Sequence, residues 1–529
     1  MTELTSLAQA LRGVVSEMQQ GRLAAAAAAV EQLKEGNRDI ADVWALDGEI
    51  AIRQRRIADA IVAVDRAADL EPGIADRHIQ RARCYVIAGD TDEAKVSARR
   101  ALEFDISRLD HLLILGGVLV RCDEHDKALR LYEQANRLDP DNADVFRGLA
   151  SVYRFLGRTD EAESACDLAI QLDPHDYETI GLRSSLRTQT DDDNHVPALL
   201  ELAKAGTRNW RGQVHVCYAL AKEYEDLADF EQSFTWLTRG AQAKRRHTKY
   251  DVEDDVRIFA AIRNAFSADV MAEYEGGGHL SDAPIFVLGM PRTGSTLVER
   301  IITSHSQVQN AGELSTLSIE MVKMVGEQSG AAVDRLALPQ KAAALQLREL
   351  GQRYLDAVAP ARDGSPRFVD KLPMNSLNIG LIHGALPNAR IVHVVRHPMD
   401  ACYAMYKYLF KHGYPFSYDL SELATYYGHF HELMTHWRNV LPQGRIYDVH
   451  YEAVVDDVDG QARLLIDYLG LPWEPACETF HASKHASTTG SASQVRRQVY
   501  RSSVGKWRNF AAQLRPLADA LSARGIAID

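Results

Sequence analysis

A short loop, GMPRTGST at residues 289–296, carries the clearest chemical signal in the sequence. It follows the apolar run PIFVL and has the glycine spacing of a phosphate-binding P-loop, G-x-x-x-x-G-K-[ST]. Ser295 stands where that loop has its lysine, and Arg292 lies inside the loop. The backbone amides of such a turn and the N-terminal end of the following helix attract an anion. A triphosphate enzyme needs the missing lysine, so the loop suits one 5′-phosphate-linked group better than magnesium triphosphate.

Three further apolar runs predict the sheet that positions this loop. RFVDK ends at Lys371, ARIVHVVR ends at Arg396, and GRIYDVHYE covers residues 444–452. Helical segments separate the runs, which predicts a parallel sheet covered on both faces. In such a sheet the ligand lies at the carboxyl ends of the strands. Lys371 and Arg396 are therefore candidates for anion binding.

The N-terminal half of the chain repeats with a period of 34 residues. Alanines recur in two phases of this period: Ala60, Ala94, Ala128 and Ala162, and then Ala67, Ala101, Ala135 and Ala169. Prolines, which end helices, close three of the units. The pattern resembles the tetratricopeptide repeat, in which helical hairpins stack into a solenoid with a concave face. The groove is expected to bind a peptide or protein; a dimerisation scaffold or a brace for the second domain is the alternative.

The glycine-rich stretch YEGGGHLSDAP marks a change of pattern near residue 280. We predict a tetratricopeptide-repeat domain over residues 1–246, a connecting helix and linker over 247–280, and a second domain over 281–529. The predicted fold class is an N-terminal α-solenoid followed by a P-loop-like α/β domain with a central parallel sheet.

Composition excludes several other classes of protein. The net charge of -13 argues against a nucleic-acid binder. No apolar stretch reaches the roughly 18 residues of a membrane span, and the N-terminus lacks the basic region of a signal peptide. The six scattered cysteines favour a reducing compartment, so a cytoplasmic location is expected. The histidine pairs have no third ligand at metal-binding spacing, so no metal is expected.

Three segments taken together, PRTGSTL, DKLPMN and IVHVVRHPMDACYAMY, resemble the sulfotransferase family over about residues 281–515. The chain is most similar to the branch of the tyrosylprotein sulfotransferases, and within it to bacterial proteins with tetratricopeptide repeats ahead of the catalytic domain. The resemblance implies 3′-phosphoadenosine 5′-phosphosulfate as the donor, without a metal ion.

The resemblance also assigns roles to the two phosphate motifs. The residues that it implies for the 5′-phosphate are Arg292, Thr293, Gly294, Ser295 and Thr296. Arg396 matches the arginine that holds the 3′-phosphate. The family usually has a serine eight residues after that arginine, whereas this chain has Ala404. One contact to the 3′-phosphate is therefore expected to be missing.

The catalytic residues follow from the same resemblance. Glu313, in NAGEL, matches the glutamate that takes the proton of the acceptor, and His305 is the competing base. Lys371 matches the lysine that stabilises charge on the bridging oxygen of the leaving group. The segment 491–507 resembles the C-terminal nucleotide loop, and residues 481–510 hold six lysines and arginines but no acid. The donor contacts predicted there are Arg496, Tyr500, Lys506 and one of Ser491 or Ser493, with the serine stabilising the leaving phosphate.

The predicted reaction is an in-line sulfuryl transfer to a hydroxyl, with a tyrosine-like phenol on a peptide or protein favoured. A small molecule, a glycan or a lipid hydroxyl is the alternative acceptor. A recruiting module with a degenerate transferase domain is a second class of function, supported only by Ala404. A kinase or nucleoside triphosphatase is disfavoured by the missing lysine. Whether the chain forms a homo-oligomer stays open.

Overall fold

The computed structural model describes residues 2–274, 276–330, 333–411, 413–480 and 501–528, without the side chains of residues 2–6 and 361. A helical N-terminal region precedes an α/β region with one five-stranded parallel sheet, which confirms the predicted fold class. Within these ranges, no helix has the length and apolar character needed to cross a membrane.

The N-terminal region is a series of helices joined by short turns. Its helices are Thr2–Gln19 (α1), Leu23–Gly36 (α2), Ala41–Arg53 (α3), Ile57–Leu70 (α4), Ala75–Ala88 (α5), Thr91–Ala101 (α6), Leu109–Arg121 (α7), His125–Leu138 (α8), Ala143–Leu156 (α9), Thr159–Leu172 (α10), Tyr177–Leu186 (α11), Val196–Ala205 (α12), Trp210–Asp226 (α13) and Phe230–Arg246 (α14). All eight in-phase alanines have no exposed surface. A β-carbon added at Gly116 would lie 2.8 Å from the Tyr132 ring, so small residues are what let the paired helices approach.

Contacts divide the described residues into two compact units, the first ending at Thr179 and the second beginning at Ile180. Helices α13 and α14 therefore group with the α/β region, although the sequence predicts them as the last repeat. Two hydrogen bonds from Arg245 to Glu422, both 2.6 Å long, are part of that grouping. The limits of the repeat domain at residue 246 stay a prediction.

The second unit continues with helices and strands that alternate. They are Val252–Ala265 (α15), Ala268–Glu273 (α16), Pro284–Gly289 (β1), Ser295–Thr303 (α17), Val308–Asn310 (β2), Thr316–Ser329 (α18), Leu338–Ala343 (α19), Leu347–Val358 (α20), Arg367–Lys371 (β3), Ile379–Ala385 (α21), Arg390–Val395 (β4), Pro398–Tyr406 (α22), Leu420–Val440 (α23), Ile446–His450 (β5), Tyr451–Asp456 (α24), Val458–Tyr468 (α25) and Arg515–Ser522 (α26). Short 3₁₀ turns include Pro373–Asn378, Arg501–Ser503 and Lys506–Phe510.

The sheet has the strand order β2-β3-β1-β4-β5, and every neighbouring pair is parallel. All six residues of the central strand β1 are buried. Ile285 and Val287 pack with α17 and α25 on one face, while Phe286 contacts the Tyr354 ring of α20 on the other. Helices thus cover both faces, as a buried parallel sheet requires. The carboxyl ends of the strands all lie at one edge, where the predicted site residues follow.

Candidate active site

The loop after β1 is shaped by two glycines that no other residue could replace without strain. Gly289 and Gly294 both have positive φ angles, 144° and 102°. A β-carbon at Gly289 would lie 2.7 Å from the carbonyl oxygen of Val394, and one at Gly294 would collide with the Tyr451 ring. The Thr293 hydroxyl donates to the carbonyl of Met290 at 2.7 Å and closes the turn. The loop leads into α17, whose first amides stay the predicted site for an anion.

Arg292 adopts an uncommon backbone conformation at the centre of this loop. Its φ angle is 66°, a left-handed value that a residue with a side chain seldom adopts. Its guanidinium lies 4.4 Å from the centre of the Tyr408 ring. Its carbonyl oxygen accepts a hydrogen bond from Arg396 at 3.0 Å. Strained conformations of this kind concentrate at ligand-binding sites, where the surrounding structure enforces them.

Arg396 follows the end of β4 and is 9% exposed. Its two terminal nitrogens donate to the carbonyl oxygens of Arg292, at 3.0 Å, and Ser503, at 2.6 Å. The guanidinium also lies 4.8 Å from the centre of the Tyr451 ring. No carboxylate pairs with Arg396 in the described ranges, and its Nε has no acceptor there. Among the described residues, the arginine therefore brings a positive charge without a carboxylate partner to the edge of the sheet.

Lys371 ends β3 and pairs with Glu313, so the predicted leaving-group cation contacts the predicted base. The lysine side chain is 2% exposed, whereas the glutamate is 51% exposed and can reach an acceptor. The chain after β2 stays in register with β3 because Ala311 donates to Val369 at 3.0 Å and Lys371 donates to Gly312 at 2.9 Å. These backbone bonds hold the two charged residues together although 58 positions separate them in sequence.

Two buried carboxyl groups lie beside Lys371 and were not predicted as site residues. Burial raises the pKa of Asp370 to about 7, although Tyr354, the amide of Leu314, Asn375 and Lys371 all favour its ionised form. The Tyr354 hydroxyl donates to Asp370 at 2.9 Å. The only sequence signal for this group was a carboxylate between the apolar Val369 and the predicted site residue Lys371.

Glu299 is the second of these buried carboxyls and lies on α17. Its pKa is raised, chiefly by burial and further by Glu313, while Lys371 and a hydrogen bond from Asn310 oppose the shift. Lys371 is thus a cation that lies close to three carboxyl groups, those of Glu313, Asp370 and Glu299. Glu299 had a weak sequence signal, because one charged residue on a helix usually faces solvent.

His305, the competing base, is buried at the end of α17. Its Nε2 donates to the carbonyl of Pro472 at 2.8 Å, and its Nδ1 accepts from the amide of Gln307 at 3.1 Å. Both ring nitrogens are therefore engaged in holding the chain. This geometry favours a structural role for His305 over proton transfer.

The C-terminal nucleotide loop is described only in part. Ser491, Ser493, Arg496 and Tyr500 lie outside the described residues. The following segment, residues 501–507, lies against the end of β4. Asp400 accepts the amides of Gly505, at 2.6 Å, and Trp507, at 3.1 Å. The carbonyl of Ser503 also accepts from Arg396, so the segment lies next to that arginine.

Lys506 lies in this segment, and its ammonium is held by Glu225 of α13 at 2.5 Å. Glu225 also accepts from Lys407 at 2.8 Å and from the Tyr403 hydroxyl at 3.1 Å. Burial lowers the pKa of Lys407 to about 8, and Lys506 lowers it further, against the effect of Glu225. The contact of Lys506 with a nucleotide stays a prediction, while its observed partner is a carboxylate from the preceding helical region.

Comparison with known proteins finds a family match in each of the two regions. Residues 284–475 match the model of the sulfotransferase family. The α/β region is a sulfotransferase-family domain. Residues 123–185 match the tetratricopeptide repeat, so the helical region ahead of the sulfotransferase domain contains this repeat.

The individual relatives and solved structures share less than a third of their aligned residues with this chain. An uncharacterized protein of Aquifex aeolicus (strain VF5) is 28% identical over 421 residues, covering 78% of this chain and 54% of the relative. The chain thus spans about half the length of that relative. The sulfotransferase domain from the curacin biosynthetic pathway is 17% identical, covers 45% of this chain and 99% of its own, and has a TM-score of 0.31. The sulfotransferase domain from the Synechococcus PCC 7002 olefin synthase is also 17% identical, covers 47% and 98%, and has a TM-score of 0.34.

Proposed function

We propose that this protein transfers a sulfuryl group from 3′-phosphoadenosine 5′-phosphosulfate to a hydroxyl acceptor. The observation that carries the proposal is the contact between Lys371 and Glu313 at the sheet edge that also holds the lysine-free loop. A cation for the leaving group and a base for the acceptor are the two groups that an in-line transfer to a hydroxyl requires. The sulfotransferase-family match over this region supports the same reaction.

The donor fits the charges at this edge of the sheet. Arg292 and the first amides of α17 would bind the 5′-phosphosulfate, and Arg396 would bind the 3′-phosphate. A phosphate oxygen would accept from the Arg396 Nε, which is buried without an acceptor in the described part of the chain. An unmet buried donor costs about 1 to 3 kcal/mol, so an incoming anion gains from satisfying it.

In the proposed step the acceptor oxygen attacks sulfur while the bond between sulfur and the bridging oxygen breaks. Glu313 takes the proton of the acceptor hydroxyl, and the electron pair of the broken bond stays on the departing phosphate. Lys371 stabilises the negative charge that develops on that bridging oxygen. Because this charge grows only in the transition state, the lysine would accelerate the reaction rather than simply tighten donor binding.

We favour a tyrosine-like phenol on a peptide or protein as the acceptor, in line with the resemblance to tyrosylprotein sulfotransferases. The repeat region offers a place to recruit it, since a cavity of about 510 Å³ lies among α1, α3, α5 and α7. Its lining combines the apolar Leu11 and Ile79 with the charged Glu49, Arg77 and Arg83. Such a mixed surface suits a polypeptide better than a lipid. The six cysteines are buried thiols, which fits the reducing cytoplasm where we place the reaction.

Transfer of radiolabelled sulfate from the donor to a tyrosyl peptide tests this proposal. The matched control is the same peptide with phenylalanine in place of tyrosine, and a small phenol tests the alternative acceptor class. Label on the tyrosyl peptide alone is the expected result. A protein that binds the nucleotide but labels neither peptide nor phenol would favour the alternative of a recruiting module with a degenerate transferase domain.

A further inference from the structure

Three N–H donors beside the end of β4 are buried and have no acceptor within the described ranges: Arg396 Nε, His397 Nε2 and Trp507 Nε1. The Nδ1 of His397 accepts from the amide of Met399 at 3.3 Å as the N-cap of α22, so the proton of the ring lies on Nε2. The guanidinium and the indole can only donate. All three unmet groups are therefore donors, and one acceptor-rich ligand could satisfy them together.

These donors are held next to one another by the fold. His397 follows Arg396 directly, and the Trp507 ring stacks on the His397 ring with centroids 5.7 Å apart and an angle of 12° between the planes. Asp400, itself buried, fixes the position of Trp507 by accepting its backbone amide at 3.1 Å. The cluster is thus built from the residues between β4 and α22 and from the segment 501–507.

The local charge favours an anion. The described contacts of the Arg396 guanidinium are two carbonyl oxygens and the Tyr451 ring, none of which neutralises it. The carboxylate of Glu452 is near but accepts the backbone amide of His397 at 2.9 Å. Buried polar groups are almost always hydrogen-bonded in folded proteins, so three donors without an acceptor among the described residues favour a bound acceptor beside the end of β4.

We propose that His397 and Trp507 complete the 3′-phosphate site with Arg396, and that they replace the serine contact that is absent at Ala404. Ala404 lies seven positions after His397, about 10 Å further along α22, so the replacement donors would come from the start of the helix and from the segment 501–507 rather than from position 404. This assignment rests on the proposed function, because it takes the donor to be an adenosine nucleotide with a 3′-phosphate.

Calorimetry with two nucleotides tests the assignment. Adenosine 3′,5′-bisphosphate carries the 3′-phosphate and adenosine 5′-monophosphate lacks it, so the ratio of the two affinities reports this site alone. Trp507→Phe keeps a ring for stacking but removes the N–H, and His397→Asn keeps an acceptor for the N-cap but removes the ring. Trp473→Phe, which removes an indole stacked on Arg463, is the matched control.

Each of the two site variants should bind the bisphosphate about tenfold more weakly or worse, because a hydrogen bond to a charged group is lost. The monophosphate affinity should not change, which also verifies that each variant is folded. Because the two substitutions act on different elements, misfolding of one variant leaves the other to decide. A wild-type preference for the bisphosphate that survives both substitutions overturns this assignment alone. A wild-type protein without that preference overturns the proposed function as well.

Discussion

Lys371 ends β3 and Arg396 directly follows β4, the two strands that flank β1, and both residues are almost fully buried, yet their surroundings differ. Lys371 contacts the carboxylate of Glu313 and has two more acids, Asp370 and Glu299, close by. Arg396 contacts carbonyl oxygens and an aromatic ring, and no described residue neutralises its charge.

The difference separates two tasks that a group-transfer site must perform. A cation that is already neutralised attracts a ground-state anion weakly, and it can respond when new charge develops during the reaction. A buried cation without a counter-ion is costly in the empty protein, and a bound phosphate offsets that cost. We therefore infer that Lys371 and the acids around it act in the chemical step, whereas Arg396 and its surroundings bind the donor.

The largest effect should come from Glu313→Gln, which keeps the shape of the side chain but cannot accept a proton. Loss of a general base costs roughly a hundred- to ten-thousandfold in rate, so turnover should fall by that factor. Nucleotide affinity, measured by calorimetry on the same sample, should hardly change because we propose that the residue faces the acceptor. Near-normal turnover in this variant would mean that another group accepts the proton.

The acids around Lys371 should also make that side of the site sensitive to pH. The pKa of Asp370 is raised to about 7 in the folded chain, against about 3.9 for an unfolded aspartate. Its contribution to stability is therefore fully present below about pH 4 and is lost as the pH rises through about 7. Relative to Asp370→Asn, the wild-type free energy of unfolding should fall by about 1.4 kcal/mol per pH unit between about pH 5 and 7.

Urea denaturation of both proteins across this pH range measures the difference. The asparagine variant is the reference for the wild type, since every other titrating group is the same in the two chains. Parallel pH profiles for wild type and variant would show that Asp370 does not take up a proton on folding.

Arg396→Ala should have a smaller effect, and of the opposite kind. It removes charge-assisted hydrogen bonds worth about 1.5 to 3 kcal/mol, so bisphosphate affinity should fall about ten- to hundredfold. Turnover at saturating donor should stay within a few-fold of wild type. Arg390→Ala is the matched control, because Arg390 lies at the opposite end of the same strand and stacks on Tyr468. Loss of turnover without loss of affinity would reverse the roles inferred for the two sides.

The sequence predicted the features that local patterns encode. Apolar runs predicted β1, β3, β4 and β5, and the in-phase alanines predicted the close approach of the repeat helices, which their complete burial confirms. Strand β2 was missed because its three residues are too few to establish a periodic pattern. The roles of the predicted site residues stay predictions, although the fold brings Glu313 and Lys371 into contact.

Features that depend on contacts between distant segments could not be predicted from the sequence. Glu225 and Lys506 are 281 positions apart. No pattern in the sequence around either residue predicts that α13 contacts the C-terminal segment. The buried carboxyls Asp370 and Glu299 were missed for a related reason. Tertiary packing decides whether a charged residue in an apolar run is buried, and a single sequence carries no record of that packing.

We propose that the lysine-free loop and Arg396 bind an adenosine nucleotide with a 3′-phosphate. The decisive experiment is to measure the thermal stability of the full chain with adenosine 3′,5′-bisphosphate and separately with magnesium-ATP. A ligand present at a hundredfold excess over its dissociation constant stabilises the native state by about 2.7 kcal/mol. We expect the bisphosphate to raise the melting temperature and magnesium-ATP to raise it much less. Equal or greater stabilisation by magnesium-ATP would show that this edge of the sheet is not a site for a 3′-phosphorylated nucleotide.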